Sequence, residues 1–374
     1  MPLFQPFALE QFLSENEEGV RYNFSESGVH PLTVGELLDL AGQDDQALRG
    51  LSLNYPEVRG QAALRERIAA LYSAASADNV LVTVGASEAN GLVVDALLEP
   101  GDEVVCFRPT YQQLSGKAVN CGIDVRWVDL VEADGWRIDF RQLEASVSPR
   151  TKLIALVNPH NPTGHIFDAD ERAAIVAAAE RVGAWIVADE VYRGTERQSN
   201  AETPSFWGEA SRVVAINSMS KAYGLPGLRL GWLVADEAAL QTLWRRHEYA
   251  TISASALGNA LATIALESGV RESLLARSRE LVRTGFEVLL EALPSDIFSV
   301  VPSQASAMSF VAYDLDVPSL DLAGRLVREH DTLVLPGACF GREHHFRFSS
   351  ALPEPYLKEG LARLVRLART IKAA

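Results

Sequence analysis

Cysteine and methionine are rare in this chain of 374 residues, with three of each, and lysine is scarce beside arginine. Cys106, Cys121 and Cys339 are odd in number and widely spaced, which excludes a disulfide framework and a metal-ligand pattern and points to reduced thiols. Positive charge is also short: 34 Lys and Arg stand against 49 Asp and Glu, and the net charge of −15 argues against nucleic acid and anionic membranes as partners. No apolar run reaches the ~18 residues of a membrane-spanning helix. The stretch Met1-Pro2-Leu3-Phe4-Gln5-Pro6-Phe7 has neither the basic start nor the long apolar core of a secretory signal, so a cytoplasmic protein is expected.

What is present is ordinary for a globular protein: 48% hydrophobic and 22% charged residues, in a length that suits roughly two to three domains. Residues 34–46 and 61–73 read as amphipathic helices. From about residue 80, short apolar runs alternate with helical stretches. Strands are expected at 80–84, 103–107, 125–130, 152–158, 185–188, 213–217 and 228–235, with helices at 87–98 and 169–182 between them. Such alternation implies a mostly parallel seven-stranded sheet sandwiched by helices, with ligands gathering at the carboxyl ends of its strands. Beyond residue 271 the pattern becomes α+β: a long helix at 271–292, strands near 308–313, 332–335 and 345–348, and helices at 320–329 and 355–368. The expected division is a large α/β domain over 46–270 and a smaller α+β domain built from 1–45 and 271–374.

The run Ser218-Met219-Ser220-Lys221-Ala222-Tyr223-Gly224-Leu225-Pro226-Gly227-Leu228-Arg229 is the most informative segment. A lysine on a short loop between two strands can be held rigidly and desolvated, which lowers its pKa and makes its amine nucleophilic toward an aldehyde. Ser218, Ser220 and Arg229 can together hold a phosphate. A lysine amine beside a phosphate cup is what pyridoxal 5'-phosphate (PLP) requires. Taken alone, a Ser-Lys pair on a loop is more often plain surface.

Other motifs stand at the ends of other apolar runs. Asp189, in Ala188-Asp189-Glu190-Val191-Tyr192, can face a protonated pyridine nitrogen and keep the ring an electron sink, or be a turn aspartate. Tyr192 can donate to the ring's phenolic oxygen, as can Asn161 in the rigid turn Asn158-Pro159-His160-Asn161-Pro162-Thr163-Gly164. Gly85-Ala86-Ser87 joins a strand to a helix whose N-terminus offers N–H groups to a phosphate; Ser87 adds a hydroxyl or serves as an N-cap. Tyr111 can stack on a flat ring, and Tyr55 can reach a phosphate with its hydroxyl. Arg347, between aromatics in His345-Phe346-Arg347-Phe348, wants a carboxylate, either a substrate's or an internal one. The His344-His345 pair has no further ligand at metal spacing, so no metal site is expected.

In this order the motifs resemble the aspartate-aminotransferase-like, fold-type I family of PLP enzymes (class I/II aminotransferases) over nearly the whole chain. The resemblance implies that Lys221 carries PLP as a Schiff base and shuttles a proton between Cα and C4'. It implies that Asp189 pairs with the pyridine nitrogen, that Asn161 and Tyr192 contact the phenolic oxygen, and that Tyr111 stacks on the ring. It assigns the phosphate to Ala86, Ser87, Ser218, Ser220 and Arg229, and the substrate carboxylate to Arg347. It also implies a homodimer with shared active sites, in which Tyr55 reaches the neighbouring subunit's phosphate. The substrate is then a free amino acid and, for transamination, a 2-oxo acid.

The stretch Asn23-Phe24-Ser25-Glu26-Ser27-Gly28-Val29-His30 departs from the Gly-x-Pro pattern frequent in these enzymes. It should still close over the substrate, with Gly28 at the close approach. Ser27-Gly28-Val29-His30, with the segment from Lys221 to Gly227, also resembles the capreomycidine-synthase type, whose members cyclise a hydroxylated arginine on PLP; oxygen-dependent arginine oxidases are related. On that resemblance Glu26 is a candidate guanidinium partner and His30 a proton-transfer group near the ring. Glu26 is equally readable as a solvated or helix-capping carboxylate and His30 as a turn residue. The leading expectation is aminotransfer, with arginine cyclisation or oxidation as the alternative. A non-catalytic amino-acid sensor of this fold is a remote third, since such proteins append a DNA-binding module and this acidic chain shows no extra N-terminal domain.

Overall fold

Apolar runs closed by glycine, proline or a polar residue become the strands of one large sheet. They are β1 Val80–Thr83, β2 Glu103–Arg108, β3 Asp124–Val131, β4 Arg137–Ile138, β5 Thr151–Val157, β6 Trp185–Asp189, β7 Val213–Ser218 and β8 Gly231–Val234. The order across the sheet is β1-β8-β7-β6-β5-β2-β3-β4. Neighbours from β7 through β6, β5 and β2 to β3 are parallel, β8 is antiparallel to both its neighbours, and β4 is an antiparallel edge. The structure is a computed structural model that describes residues 4–373; Met1-Pro2-Leu3, the start of the N-terminal stretch, lies outside the described residues.

The seven expected strands are present, and the two-residue β4 adds an eighth. It folds back along β3 through a turn in which Gly135 takes φ 71°, a conformation that suits glycine. The expected strand at 228–235 is shorter: Pro226–Leu228 forms a 3₁₀ turn and Arg229 stands at φ 49°, so pairing starts only at Gly231. Helices cover both faces. Ala169–Val182 starts on an Asp168/Glu171 capping box and ends at Gly183 with φ 69°, which is why its bounds were legible. Two clusters of buried residues, one around Val105, Ile154 and Ile186 and one around Val93, Val104 and Val187, cover opposite sides of the sheet, as period-2 alternation demands.

A second sheet is antiparallel: β9 Phe298–Val300, β10 Met308–Tyr313, β11 Leu335–Pro336 and β12 His345–Ser349, in the order β9-β10-β12-β11. The expected strand at 332–335 is two pieces. Thr332–Leu333 pairs in parallel with Tyr22–Asn23, while Leu335–Pro336 pairs with β12. Helices Val270–Ala292, Ser319–His330 and Glu354–Lys372 pack on this sheet around Phe24, Phe348, Leu361 and Leu364. At the other end of the N-terminal segment, helix Ala8–Asn16 buries Leu9 against the core that holds Phe107 and Phe310, and the Ala8 N–H donates to Gln112 Oε1 at 3.0 Å. Among the described residues no helix is long and apolar enough to cross a membrane. No group of three or more His, Cys, Asp or Glu is arranged to hold a metal ion among them either.

Phe24 anchors the segment that runs to the cavity below. Its ring stacks on Phe348 with centroids 4.4 Å apart and lies on Gly360 so closely that a Cβ there would meet the ring at 2.0 Å. Gly360→Ala is expected to lose about 1–3 kcal/mol of stability through overpacking, read as a lower Tm in thermal unfolding; an unchanged Tm would contradict this packing.

Candidate active site

The carboxyl ends of β1, β5, β6 and β7 open onto a cavity of about 450 Å³. The chain leaves β7 and folds back at once: Met219 N–H donates to Leu230 O and Leu225 N–H to Met219 O, both at 3.0 Å. That tight loop sets Lys221 on the cavity wall. Its Nζ donates to Ser27 Oγ at 2.7 Å. Desolvation lowers the amine's pKa below the usual 10.5, Arg347 adds to the lowering, and Glu26, Glu10 and Asp189 oppose it.

Asp189 ends β6 and faces the same cavity. Burial raises its pKa; Asn90 Nδ2, donating to Oδ2 at 3.0 Å, and Val191 N–H, donating to Oδ1 at 3.2 Å, work to keep it ionised. Across the cavity Asn161 Nδ2 donates to the Tyr192 hydroxyl at 3.1 Å, and Arg347 Nη1 donates to Asn161 Oδ1 at 3.0 Å. Burial pushes the Tyr192 phenol up to about 12. Arg347 lies on β12, 3% exposed, and its other bond goes from Nη2 to the carbonyl of Ser25. Both acceptors are neutral, and the buried Nε has no partner among the described residues. Desolvation therefore lowers its pKa, partly offset by Tyr192, Glu26, Tyr111 and Glu10, and it presents a cation to the cavity.

The third wall is the β1-to-helix turn. Helix Gly85–Leu97 begins at Val84 with no side-chain cap, so Ser87 is not an N-cap and the first N–H groups stay open. Gly231 presses on the turn, where a Cβ would sit 2.6 Å from Ala86 N; Arg229 Nη2 would stand 3.0 Å from a Cβ on Gly85. Glu88 braces the turn from behind, accepting from Val84 N–H at 2.6 Å and lying 2.8 Å from His247 Nδ1. Ala86, Ser87, Ser218, Ser220 and Arg229 all line the cavity.

Tyr111 lines it too, with its hydroxyl donating to Glu10 Oε1 at 2.8 Å and its phenol pKa raised, mainly by burial. Glu26 is exposed on the cavity wall. Gly28 makes the expected close approach: a Cβ would meet Ser220 O at 3.0 Å and Lys221 Cα at 3.5 Å. Two of the candidate residues lie outside the cavity, and of these Tyr55 was expected to act on the neighbouring subunit's site. His30 is exposed and outside the cavity, because the backbone there is drawn away by the bonds from His30 N–H to Ala351 O and Leu32 N–H to Gly224 O. Tyr55 is 85% exposed, in a separate groove with Leu53 and Leu257. Sequence reading missed Ser27, Asn90 and Glu10. Asn90 stands three residues past Ser87 on the same helix face, a usable signal; Glu10 had none, since nothing marked helix Ala8–Asn16 as near the site.

A lysine with a lowered pKa, a carboxylate, an open helix N-terminus and a buried arginine bonded only to neutral acceptors around one cavity fit PLP chemistry on an amino acid. The chain belongs to the aminotransferase class I and II family, whose description matches residues 29–364. It is 33% identical to a capreomycidine synthase of Streptomyces vinaceus, over 95% of this chain and 92% of that one. It is 31% identical to the arginine–pyruvate transaminase AruH of Pseudomonas aeruginosa, over 87% and 84%. A solved PLP-dependent aminotransferase from Streptococcus suis superimposes with a TM-score of 0.93 at 32% identity, covering 98% of each chain. The fold is thus the aspartate-aminotransferase type, and the protein is a PLP-dependent enzyme. The donor set fits that cofactor: the uncapped helix end and Arg229 suit its phosphate, Asp189 its pyridine nitrogen, and Lys221 its aldehyde.

A depressed lysine pKa has a stability consequence. Between the lowered pKa and 10.5 the unfolded chain binds the proton that the folded chain does not, so this group's contribution to stability rises with pH. Cofactor-free Lys221→Met is expected to have a higher Tm than wild type near pH 7, with the gap narrowing toward pH 10. A gap that widens with pH would contradict the burial described.

Proposed function

We propose that the protein transaminates a free amino acid to its 2-oxo acid. The observation that carries this reading is the convergence of Lys221, Asp189 and the unpaired guanidinium of Arg347 on one cavity. PLP, when bound, supplies a cationic ring that draws electrons from the substrate's α-carbon. In this reading Ala86, Ser87, Ser218, Ser220 and Arg229 hold its phosphate, and Tyr111 lies against the ring. Asp189 keeps the ring nitrogen protonated, and Asn161 and Tyr192 donate to the phenolic oxygen. Arg347 binds the substrate carboxylate in two charge-assisted bonds. Lys221, its pKa lowered, would take the α-proton at Nζ as general base and return it at the cofactor's C4' carbon.

A second reading, cyclisation or oxidation of an arginine compound, is favoured by one observation. Glu10, Glu17 and Glu26 line the cavity, a setting that suits a cationic side chain, and Gly28 brings Glu26 over the lysine loop. A homodimer is supported by the exposed apolar side chains Leu53, Tyr55, Ile252 and Leu257, three of which line one groove, with Tyr249 beside them on the chain. Tyr55 then contributes from the partner. A large unit over 46–270 and a small one from 1–45 and 271–374 agree with the two sheets; residues 8–16, which pack on the large sheet's core, bridge them. Cytoplasmic residence agrees with three free cysteines.

Single amino acids, arginine included, are mixed with PLP-loaded enzyme without any oxo acid, and product and oxygen uptake are followed. Transamination gives one 2-oxo acid per site and continues only when pyruvate or another acceptor is added. Sustained turnover without acceptor would replace it with cyclisation, or with oxidation if oxygen is consumed. Arg347→Gln is expected to raise KM about tenfold to a hundredfold, the worth of about one charged hydrogen bond. Glu26→Gln is expected to raise KM for arginine and leave that for alanine.

A further inference from the structure

The N-terminal stretch that crosses the cavity places a hydroxyl on the reactive amine. Lys221 Nζ donates to Ser27 Oγ at 2.7 Å between residues 194 apart in sequence. Ser27 is 6% exposed. The two segments are joined by more than this bond: Val29 N–H donates to Lys221 O at 3.4 Å, and a Cβ on Gly28 would press on Ser220 O at 3.0 Å. Ser27 also works against the effect of burial on the Tyr192 phenol. A hydroxyl has one proton and two lone pairs, so Ser27 Oγ can accept the Lys221 N–H and still donate its own proton.

We propose that Ser27 is the acceptor that fixes the Lys221 amine for proton transfer at the substrate's α-carbon, a role that rests on the transaminase reading. A lysine chain has four carbons of rotational freedom, and one acceptor at its end selects the reactive position. In the step, the proton leaves Cα for the lone pair of neutral Nζ, and the C–H electron pair stays with the substrate. Ser27 accepts an N–H from the amine before the step and from the ammonium after it. Return of the proton at the cofactor's C4' carbon would restore the neutral amine, so no further reactant is consumed.

The test has two arms. In cofactor-free protein labelled with ¹³C-lysine, where the chain's few lysines keep the spectrum simple, Ser27→Ala is expected to lower the Lys221 pKa by about one unit through loss of a hydrogen bond to the ammonium. In PLP-loaded enzyme in D₂O, the same variant is expected to exchange substrate α-hydrogen about tenfold to a hundredfold more slowly, with Ser27→Thr restoring both readouts. Thermal unfolding confirms that the variants fold. If Ser27→Ala leaves the titration and the exchange rate at wild-type values, the proposal falls and the transaminase reading stands. If wild-type enzyme exchanges no α-hydrogen from any amino acid, that reading falls and this role falls with it. A lowered pKa with unaltered exchange would also overturn the role, by showing a bond without a part in proton transfer.

Discussion

The site depends on one constraint: a half-buried amine and a buried guanidinium share one cavity, and among the described residues neither has a carboxylate inside hydrogen-bond reach. Lys221 bonds to a serine hydroxyl, and Arg347 to an amide and a carbonyl. Burying two cations without full compensation costs stability. The expected return is reactivity, since a desolvated amine is a better nucleophile and base and an unpaired guanidinium is a better anion receptor. The rest of the molecule supplies rigidity for that arrangement. Parallel strands deliver Asp189, Lys221 and Asn161 to one edge, and the second sheet delivers Arg347 opposite them.

The N-terminal segment ties the two sheets together at the cavity. Phe24 packs among the helices of the small sheet, the Ser25 carbonyl receives Arg347, Ser27 receives Lys221, and helix Ala8–Asn16 brings Glu10 to Tyr111. In the proposed reading the substrate's side chain meets this segment, and its acidic residues set the preference among amino acids.

The large sheet was legible because buried parallel strands are short apolar runs closed by turn residues, and because the helix between β5 and β6 carries both its caps. The two-residue pieces Arg137–Ile138 and Tyr22–Asn23 were not legible: neither is long enough to show a period, and each is fixed by its partner strand. At the site the same division holds. Residues at strand ends could be placed from their motifs, as Lys221, Asp189 and Asn161 were. Ser27 and Glu10 reach the cavity only through tertiary packing of a segment whose local sequence carries no signal for it. His30 was misplaced for the same reason, because the bonds to Ala351 and Gly224 that draw it away join residues far apart in the chain.

The most direct measurement is borohydride reduction of the PLP-loaded protein followed by peptide mass spectrometry. The expected result is a single phosphopyridoxyl group on the peptide that contains Lys221. Attachment to any other lysine, or to none, would contradict the account at its centre.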